Sequence, residues 1–222
     1  MEWCRLLELK NVSYSYDEKN AVLKDLDLSI SGEGLTGVFG PNGSGKTTLG
    51  KLACGILQPT AGKVLLQGED ISGLALGEIG QSVGYLFQEP ERQLFAPTVE
   101  EELSFILRVQ GVDDDDIARR VDEMLSYFHL KNLRDSFPFN LSRGEKQRLA
   151  LAAVLINQPE FLILDEPTTA LDVKRKKELS EMLDILLEEG VGMMVISHDH
   201  QFVHEHASKI IRLSGGEVNL NG

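Results

Sequence analysis

Long apolar runs are missing from this chain. The longest unbroken one, Leu149–Ile156, has eight residues, whereas a helix that crosses a bilayer needs about 20. No membrane-spanning segment is therefore expected. Cysteine is nearly absent: only Cys4 and Cys54 occur, far apart. That excludes a cysteine-rich metal module or a disulfide framework and fits a reducing compartment. Positive charge is also in short supply. With 22 Lys and Arg against 35 Asp and Glu, the net charge is −13. Sequence-independent grip on nucleic acid needs a basic field, so nucleic acid is not an expected partner. The start, Met1 to Glu8, puts charges where a secretory signal needs an apolar stretch. A cytosolic protein is expected, and any work at a membrane would pass through a partner.

What is present is enough for one large α/β domain. A chain of 222 residues buries roughly 70% of its unfolded surface and needs no covalent staple. Leu7, Leu9 and Val12, then Leu26, Leu28 and Ile30, have strand period, with a polar turn at 17–20 between them. Leu35–Phe39 is a short apolar strand, 47–57 reads as a helix ended before Pro59, and 63–66 and 82–87 read as strands. From Gln88 to Asn140 strand signals vanish. Thr98, followed by Glu101, begins a helix, and Leu103, Ile106, Leu107 and then Val121, Leu125, Phe128 have helical spacing. This stretch, about 88–140, reads as a helical lobe inserted into a single domain of residues 1–222. After a further helix over 141–158, strands at 161–164, 192–196 and 210–213 alternate with helices at 173–189 and 200–206. That alternation predicts a mostly parallel sheet with helices on both faces. Asp113–Asp116 lacks the alternating oxygens of a calcium loop and reads as a solvated helix start.

Gly40-Pro41-Asn42-Gly43-Ser44-Gly45-Lys46-Thr47 fits the phosphate-binding pattern G-x-x-x-x-G-K-[ST], with a strand before it and a helix after it. Such a loop wraps phosphates with backbone N–H groups, helped by the positive end of the helix dipole. Lys46 is placed to reach the β- and γ-phosphates, and Thr47 to ligate Mg²⁺. A second carboxylate for the metal comes from Phe161-Leu-Ile-Leu-Asp165-Glu166. Asp165 leaves a buried strand at its end, where such sheets do their chemistry. It would hold Mg²⁺ through water, and Glu166 would polarise an attacking water.

Leu141-Ser142-Arg143-Gly144-Glu145-Lys-Gln-Arg148 lies between those motifs. Taken together, they make the chain resemble the ABC transporter ATPases, whose signature reads Leu-Ser-Gly-Gly-Gln. Gln88 looks like their Q-loop, Ala170-Leu-Asp172 like their D-loop and Ser197-His198-Asp199 like their switch histidine. Tyr16 stands where that family has the aromatic that stacks on adenine. The resemblance runs from about Leu6 to Glu217. It implies a P-loop NTPase core with a mostly parallel sheet, an antiparallel N-terminal β subdomain and the inserted helical lobe. ATP and Mg²⁺ are the implied cofactors. Glu166, His198 and Gln88 are the implied catalytic residues, and Thr47, Gln88 and Asp165 the metal group. Nucleotide contacts are implied for Tyr16, Gly40 to Thr47, Thr48, Ser142, Gly144 and Asp172. In that family ATP is sandwiched head to tail between two subunits, the phosphate loop of one facing the signature of the other.

Two signature positions depart from the family pattern: Arg143 stands for Gly and Glu145 for Gln. Ser142-x-x-Glu145 is also a capping-box pattern, so Glu145 folds back on Ser142 or else faces nucleotide, and capping is the favoured reading. For Tyr16, stacking on a base competes with a core or a solvated turn position. His198, His200, His204 and His206 are close in sequence, yet nothing completes a tetrahedral metal site. Cys54 reads as a small buried apolar residue.

Gln93-Leu-Phe95 followed by Thr98-Val-Glu-Glu looks more narrowly like the ATPases of energy-coupling factor importers, which take up vitamins and transition-metal ions such as cobalt and nickel. The implied partners are a second ATPase subunit, identical or related, an integral-membrane scaffold and a substrate-binding membrane subunit. The implied location is the cytoplasmic face of the membrane. Leu94, Phe95 and Phe105 would either pack inside the lobe or line a groove that receives the scaffold. Relatives in this branch carry a longer segment after the switch histidine, which leaves homodimer and heterodimer both open. A soluble ABC ATPase of DNA repair or translation would need a coiled-coil insertion or two cassettes. A non-catalytic scaffold is disfavoured by Glu166 and His198.

Overall fold

The computed structural model describes residues 5–17, 20–169 and 171–219. Two sheets organise it. The first is antiparallel: β1 (Arg5–Ser15) lies between β2 (Ala21–Ser31) and β4 (Ala61–Leu66), with two-residue β5 (Glu69–Asp70) at the edge. Leu7, Leu9 and Val12 are all buried although Val12 breaks the alternation. A register shift between Leu9 and Val12, with Asn11 at φ 49°, returns Val12 to the inner face.

The second sheet has the order β10-β9-β3-β8-β7-β6. Strands β3 (Leu35–Phe39), β6 (Val83–Leu86), β7 (Phe161–Asp165), β8 (Gly192–Ile196) and β9 (Ala207–Ser214) run parallel, and β10 (Glu217–Asn219) is an antiparallel edge. Every residue of β3, β6, β7 and β8 is buried, as expected of strands covered on both faces. The pleat divides them between two cores. Ile163, Met194 and Ile196 join α1 (Lys46–Ala53) and the antiparallel sheet. Leu162, Leu164, Met193 and Val195 join the helices on the other face. Those helices are α3 (Val99–Val109), α4 (Asp114–Tyr127), α5 (Arg143–Leu155) and α6 (Val173–Glu188). Helix α2 (Leu76–Ser82) precedes β6, and α7 (His200–His206) precedes β9.

Several boundaries differ from the sequence reading. The first helix stops at Ala53 rather than 57, because Gly55 N turns back to Leu52 O (3.1 Å). Helix α5 covers 143–155 rather than 141–158. Ser142 caps its start, and Gln158 adopts φ 52° just before Pro159. Helix α2 was not anticipated. It is seven residues long with Gly77 and Gly80 inside, and it relies on Glu78 Oε2 accepting from Ala75 N (2.7 Å). The acidic run opens α4: Asp113 Oδ1 accepts from Asp115 N (3.0 Å), with Asp114–Asp116 in the first turn. Part of the 17–20 turn and Ala170 lie outside the described residues.

Candidate functional site

Parallel strands release their chains at one end. The register pairs Val38 with Ile196, Ile196 with Asp165, and Leu164 with Leu86. The loops that leave β3, β8, β7 and β6 therefore lie side by side, bringing together Gly40–Thr48, His198, Asp165 with Glu166, and Gln88. Residues far apart in sequence meet because the sheet order is not the chain order.

The Gly40–Thr48 loop is wound tightly. Ser44 N donates to Pro41 O (3.2 Å), and Leu49 N to Gly45 O (2.7 Å) starts α1. Gly45 caps that helix at φ 99°, a conformation that costs any residue with a Cβ. Lys46 is buried, and its Nζ donates to Gly40 O (2.8 Å) and Pro41 O (3.0 Å). Burial pushes its ammonium pKa down, opposed by the carboxylates of Glu166 and Asp165. Ser44 Oγ is buried with no hydrogen-bond partner among the described residues. Pro41, Asn42 and Gly43 form the exposed rim.

Asp165 Oδ2 accepts from the Tyr85 hydroxyl (3.1 Å), and Oδ1 is buried without a hydrogen-bond partner among the described residues. Burial raises its pKa, against the hydroxyls of Thr47 and Tyr85 and the ammonium groups of Lys51 and Lys46. Asp165 shares a depression of about 140 Å³ with Thr47, Lys51, Gln88 and Arg92. An orphaned carboxylate oxygen beside a hydroxyl and an amide is a set of hard oxygen donors that suits Mg²⁺, an ion that keeps several waters and takes few protein ligands. Among the described residues no cluster of three or more His, Cys, Asp or Glu could hold a metal alone.

Glu166 sits at φ 53°, held by its N–H to Ile196 O (2.8 Å). A left-handed non-glycine residue at a strand end is a strained feature of the kind that gathers at functional sites. Its carboxylate is 6% exposed and 3.1 Å from His198 Nε2, and Oε2 accepts from His198 N (3.3 Å) and Thr169 Oγ1 (3.5 Å). Burial raises the Glu166 pKa, and His198 opposes the rise most strongly. A buried carboxylate paired with a half-exposed imidazole can accept a proton from water and pass it outward.

Tyr16 is 62% exposed, so the core position is excluded. Its hydroxyl lies 3.2 Å from Thr48 Oγ1, and its ring meets Tyr14 edge-on at 4.9 Å. That leaves one face of an aromatic ring beside the phosphate loop.

Ser142, Gly144 and Asp172 lie at or near helix starts rather than at strand ends. Ser142 caps α5: its Oγ accepts from Glu145 N (3.4 Å), while Glu145 Oε2 takes Ser142 N (2.8 Å) and Oγ (2.6 Å). Glu145 is thus turned back in a capping box, its pKa lowered by the Ser142 bonds, and Arg143 projects from the surface. Asp172 Oδ1 caps α6 through Arg175 N (2.8 Å). Among the described residues no hydrogen bond or ion pair ties these three to Gly40–Thr48.

Of the two positions open to Leu94, the structure takes the packed one: it is 4% exposed and lies in the core with Val99 and Leu103, so it lines no groove. Phe95 and Phe105 are exposed, edge-on at 4.8 Å, and line a groove of about 400 Å³ with Leu76, Tyr85, Glu102 and Ala153. Glu102 is buried and takes Phe95 N (2.9 Å) and Ala96 N (2.8 Å), which fixes the loop that presents Phe95. The clustered histidines are engaged elsewhere. His200 and His204 stack on Phe39 (4.3 and 5.9 Å), and His206 bonds Asp184 (2.7 Å) and Ser180 (2.5 Å). Burial lifts the Cys54 thiol to about 12, in keeping with an inert packing residue. Sequence reasoning missed Tyr85, Lys51 and Thr169. Tyr85 had one legible signal, a phenol in a four-residue apolar strand, whose hydroxyl needs a partner.

The ABC transporter family model matches residues 23–169. Among relatives, the energy-coupling factor transporter ATP-binding protein EcfA of Methanothermobacter thermautotrophicus is 37% identical over 98% of this chain and 70% of its own length. The structure of CbiO1 from Clostridium perfringens, part of the ABC transporter complex CbiONQ, superposes with a TM-score of 0.85 at 33% identity, over 98% of this chain and 88% of that one. The dimeric post-hydrolysis structure of the ATP-binding cassette MJ0796, bound to ADP and Pi, gives 0.85 at 29% identity, over 98% and 100%. A strand-end phosphate loop, a buried Asp–Glu pair and a matching family model lead to one conclusion: this chain belongs to the ABC transporter ATP-binding subunits, ATPases of P-loop fold, with an energy-coupling factor ATPase among its relatives.

Proposed function

We propose that this protein is the ATP-hydrolysing motor of an energy-coupling factor importer for a vitamin or a transition-metal ion, working at the cytoplasmic face of the membrane. The observation that carries the reading is the pairing of Glu166 with His198 at 3.1 Å, one residue from Asp165 and at the same strand ends as the phosphate loop. Lys46 and the Gly40–Thr48 amides bind the ATP phosphates, and Tyr16 stacks on the adenine, beside Thr48. Thr47, Gln88 and Asp165, the last through water, hold Mg²⁺. When bound, that ion neutralises phosphate charge and draws electrons from the bond that breaks. Glu166 accepts the proton of the attacking water, and His198 orients Glu166 and the γ-phosphate.

Ser142, Gly144 and Asp172 act on a second subunit's nucleotide. Their lack of any hydrogen bond to this chain's own phosphate loop among the described residues fits a shared site, as does the dimeric form of the MJ0796 cassette. The α5 amides, with Glu145 folded away, present an N-terminal dipole to the γ-phosphate opposite. Residues of about 88–140 form the lobe of a single ATPase domain, and the groove under Phe95 and Phe105 takes a short helix of the membrane scaffold. Exposed Glu91 and Arg92 lie next to that segment and set its orientation. The likeness to EcfA and to CbiO1 of the CbiONQ complex supports this partner class; no described helix is long and apolar enough to cross a membrane itself.

The test is co-purification from membranes followed by uptake. The protein should bring down an integral-membrane scaffold and a small substrate-binding membrane protein. Vesicles carrying the complex should accumulate a vitamin, cobalt or nickel only with internal ATP. An ATPase that purifies with nucleic acid, or with no membrane protein, defeats the proposal.

A further inference from the structure

We propose that Tyr85 is a positioning residue for the metal carboxylate Asp165. Its ring stands in the middle of β6, 8% exposed, and three neighbours fix it there. The Phe87 ring meets it edge-on at 4.9 Å. Gly50, inside α1, leaves room for it: a Cβ there would stand 3.2 Å from Tyr85 Cε2 and 3.0 Å from Ile196 Cδ1. Glycine weakens a helix interior, so its presence on the phosphate-loop helix fits a requirement for this close approach. The third neighbour is Asp165 itself, whose Oδ2 accepts a hydrogen bond from the phenol at 3.1 Å.

The consequence is an asymmetric carboxylate. Oδ2 is engaged from beneath by a rigid donor. Oδ1 is buried and has no hydrogen-bond partner among the described residues, while Asp165 borders the depression that also holds Thr47 and Gln88. A carboxylate free to rotate would present either oxygen, or both, to the metal's water shell. One clamped at Oδ2 presents Oδ1 in a single orientation. Partners of this kind set the geometry of a metal site without touching the metal, and their loss typically costs 10–100-fold in affinity.

The inference rests on Asp165 belonging to the metal site, so the experiment separates the two ideas. Mn²⁺ serves as the probe, with ADP as nucleotide to avoid turnover. Mn²⁺ affinity of the ADP-bound protein is read by electron paramagnetic resonance, and ADP affinity is measured in parallel with excess chelator. Tyr85→Phe keeps the ring and its packing against Gly50 and removes only the donor. It should weaken Mn²⁺ about 10-fold while leaving chelated ADP binding within about twofold, and the bound Mn²⁺ spectrum should broaden as the site loses its single geometry. Asp165→Asn should weaken Mn²⁺ at least as much. Unchanged Mn²⁺ affinity in Tyr85→Phe, with Asp165→Asn impaired, overturns the positioning role alone. Unchanged affinity in both variants overturns the metal role of Asp165 and the inference with it. An equal fall in Mn²⁺ and in chelated ADP binding makes Tyr85 a packing residue and also overturns the proposal.

Discussion

The two ends of the proposed nucleotide machinery are built in opposite ways. At the strand ends, Lys46, Asp165 and Glu166 are at most 7% exposed, each displaced from its ordinary pKa by burial, and polar atoms such as Asp165 Oδ1 are left without partners among the described residues. At the start of α5, Ser142 and Arg143 are exposed, and the one carboxylate, Glu145, is turned back onto Ser142 through Oε2. The first end bears the energetic cost of buried, unsatisfied groups, which a bound ligand or ordered water relieves. The second is a self-satisfied helix terminus that needs nothing from its own chain. Under the proposed shared site, that terminus faces the nucleotide of a second subunit.

The sharpest way to break this comparison is at Glu166. Glu166→Gln should slow steady-state phosphate release by ~10²–10⁴-fold, the range for losing a general base, with ATP binding retained and an ATP-bound dimer accumulating if the chain self-associates. Wild-type turnover would remove Glu166 from its role. Next, Lys46→Ala should weaken ATP binding about 10–100-fold, as expected for losing charge-assisted hydrogen bonds, measured by equilibrium titration. Ser142→Arg should leave that affinity nearly intact in the monomer yet abolish turnover. Mixing the two dead variants should then restore roughly a quarter of wild-type activity for random pairing in a two-fold dimer. A mixture that forms dimers and stays dead rules out the shared site.

Two smaller effects sharpen the contrast between groove and core. Phe95→Glu should weaken scaffold binding by at least about 30-fold in a pull-down, the loss of an aromatic anchor, with ATPase within about threefold. Leu94→Glu should unfold the lobe instead, since Leu94 is core. The smallest effect is expected at Glu145→Ala, which removes half of a capping box: ~1 kcal/mol, or about 2–4 °C in thermal midpoint. Because its bonds to Ser142 depress the Glu145 pKa, their contribution is present at neutral pH. It disappears as pH falls through that lowered value, so the variant and wild type should converge in acid.

The same contrast explains what the sequence made legible. The phosphate loop, Asp165–Glu166 and the capping box are local patterns, in which spacing along the chain is itself the geometry. Strands β3 and β8 were readable to the residue because buried parallel strands are unbroken apolar words. Helix α2 was not, since its capping rests on one glutamate and its interior holds two glycines. The burial of Leu94 beside the exposure of Phe95 was equally hidden. Which of two adjacent apolar residues points inward depends on Glu102 gripping Phe95 N and Ala96 N from a turn away. Tyr85 shows the general limit: a tyrosine in a strand announces that it has a partner, but naming Asp165, 80 positions on, requires the sheet order.

The uninterrupted burial of β3, β7 and β8 also has a consequence in time. Amides in such strands are expected to exchange with solvent only when the whole domain opens, whereas a helix with a charged exposed face, such as α4, is expected to open locally first. A deuterium label should therefore enter α4 long before it reaches the backbone under Asp165 and Glu166. Asp165 and Glu166 are thus carried by a strand expected to be among the last in the molecule to open.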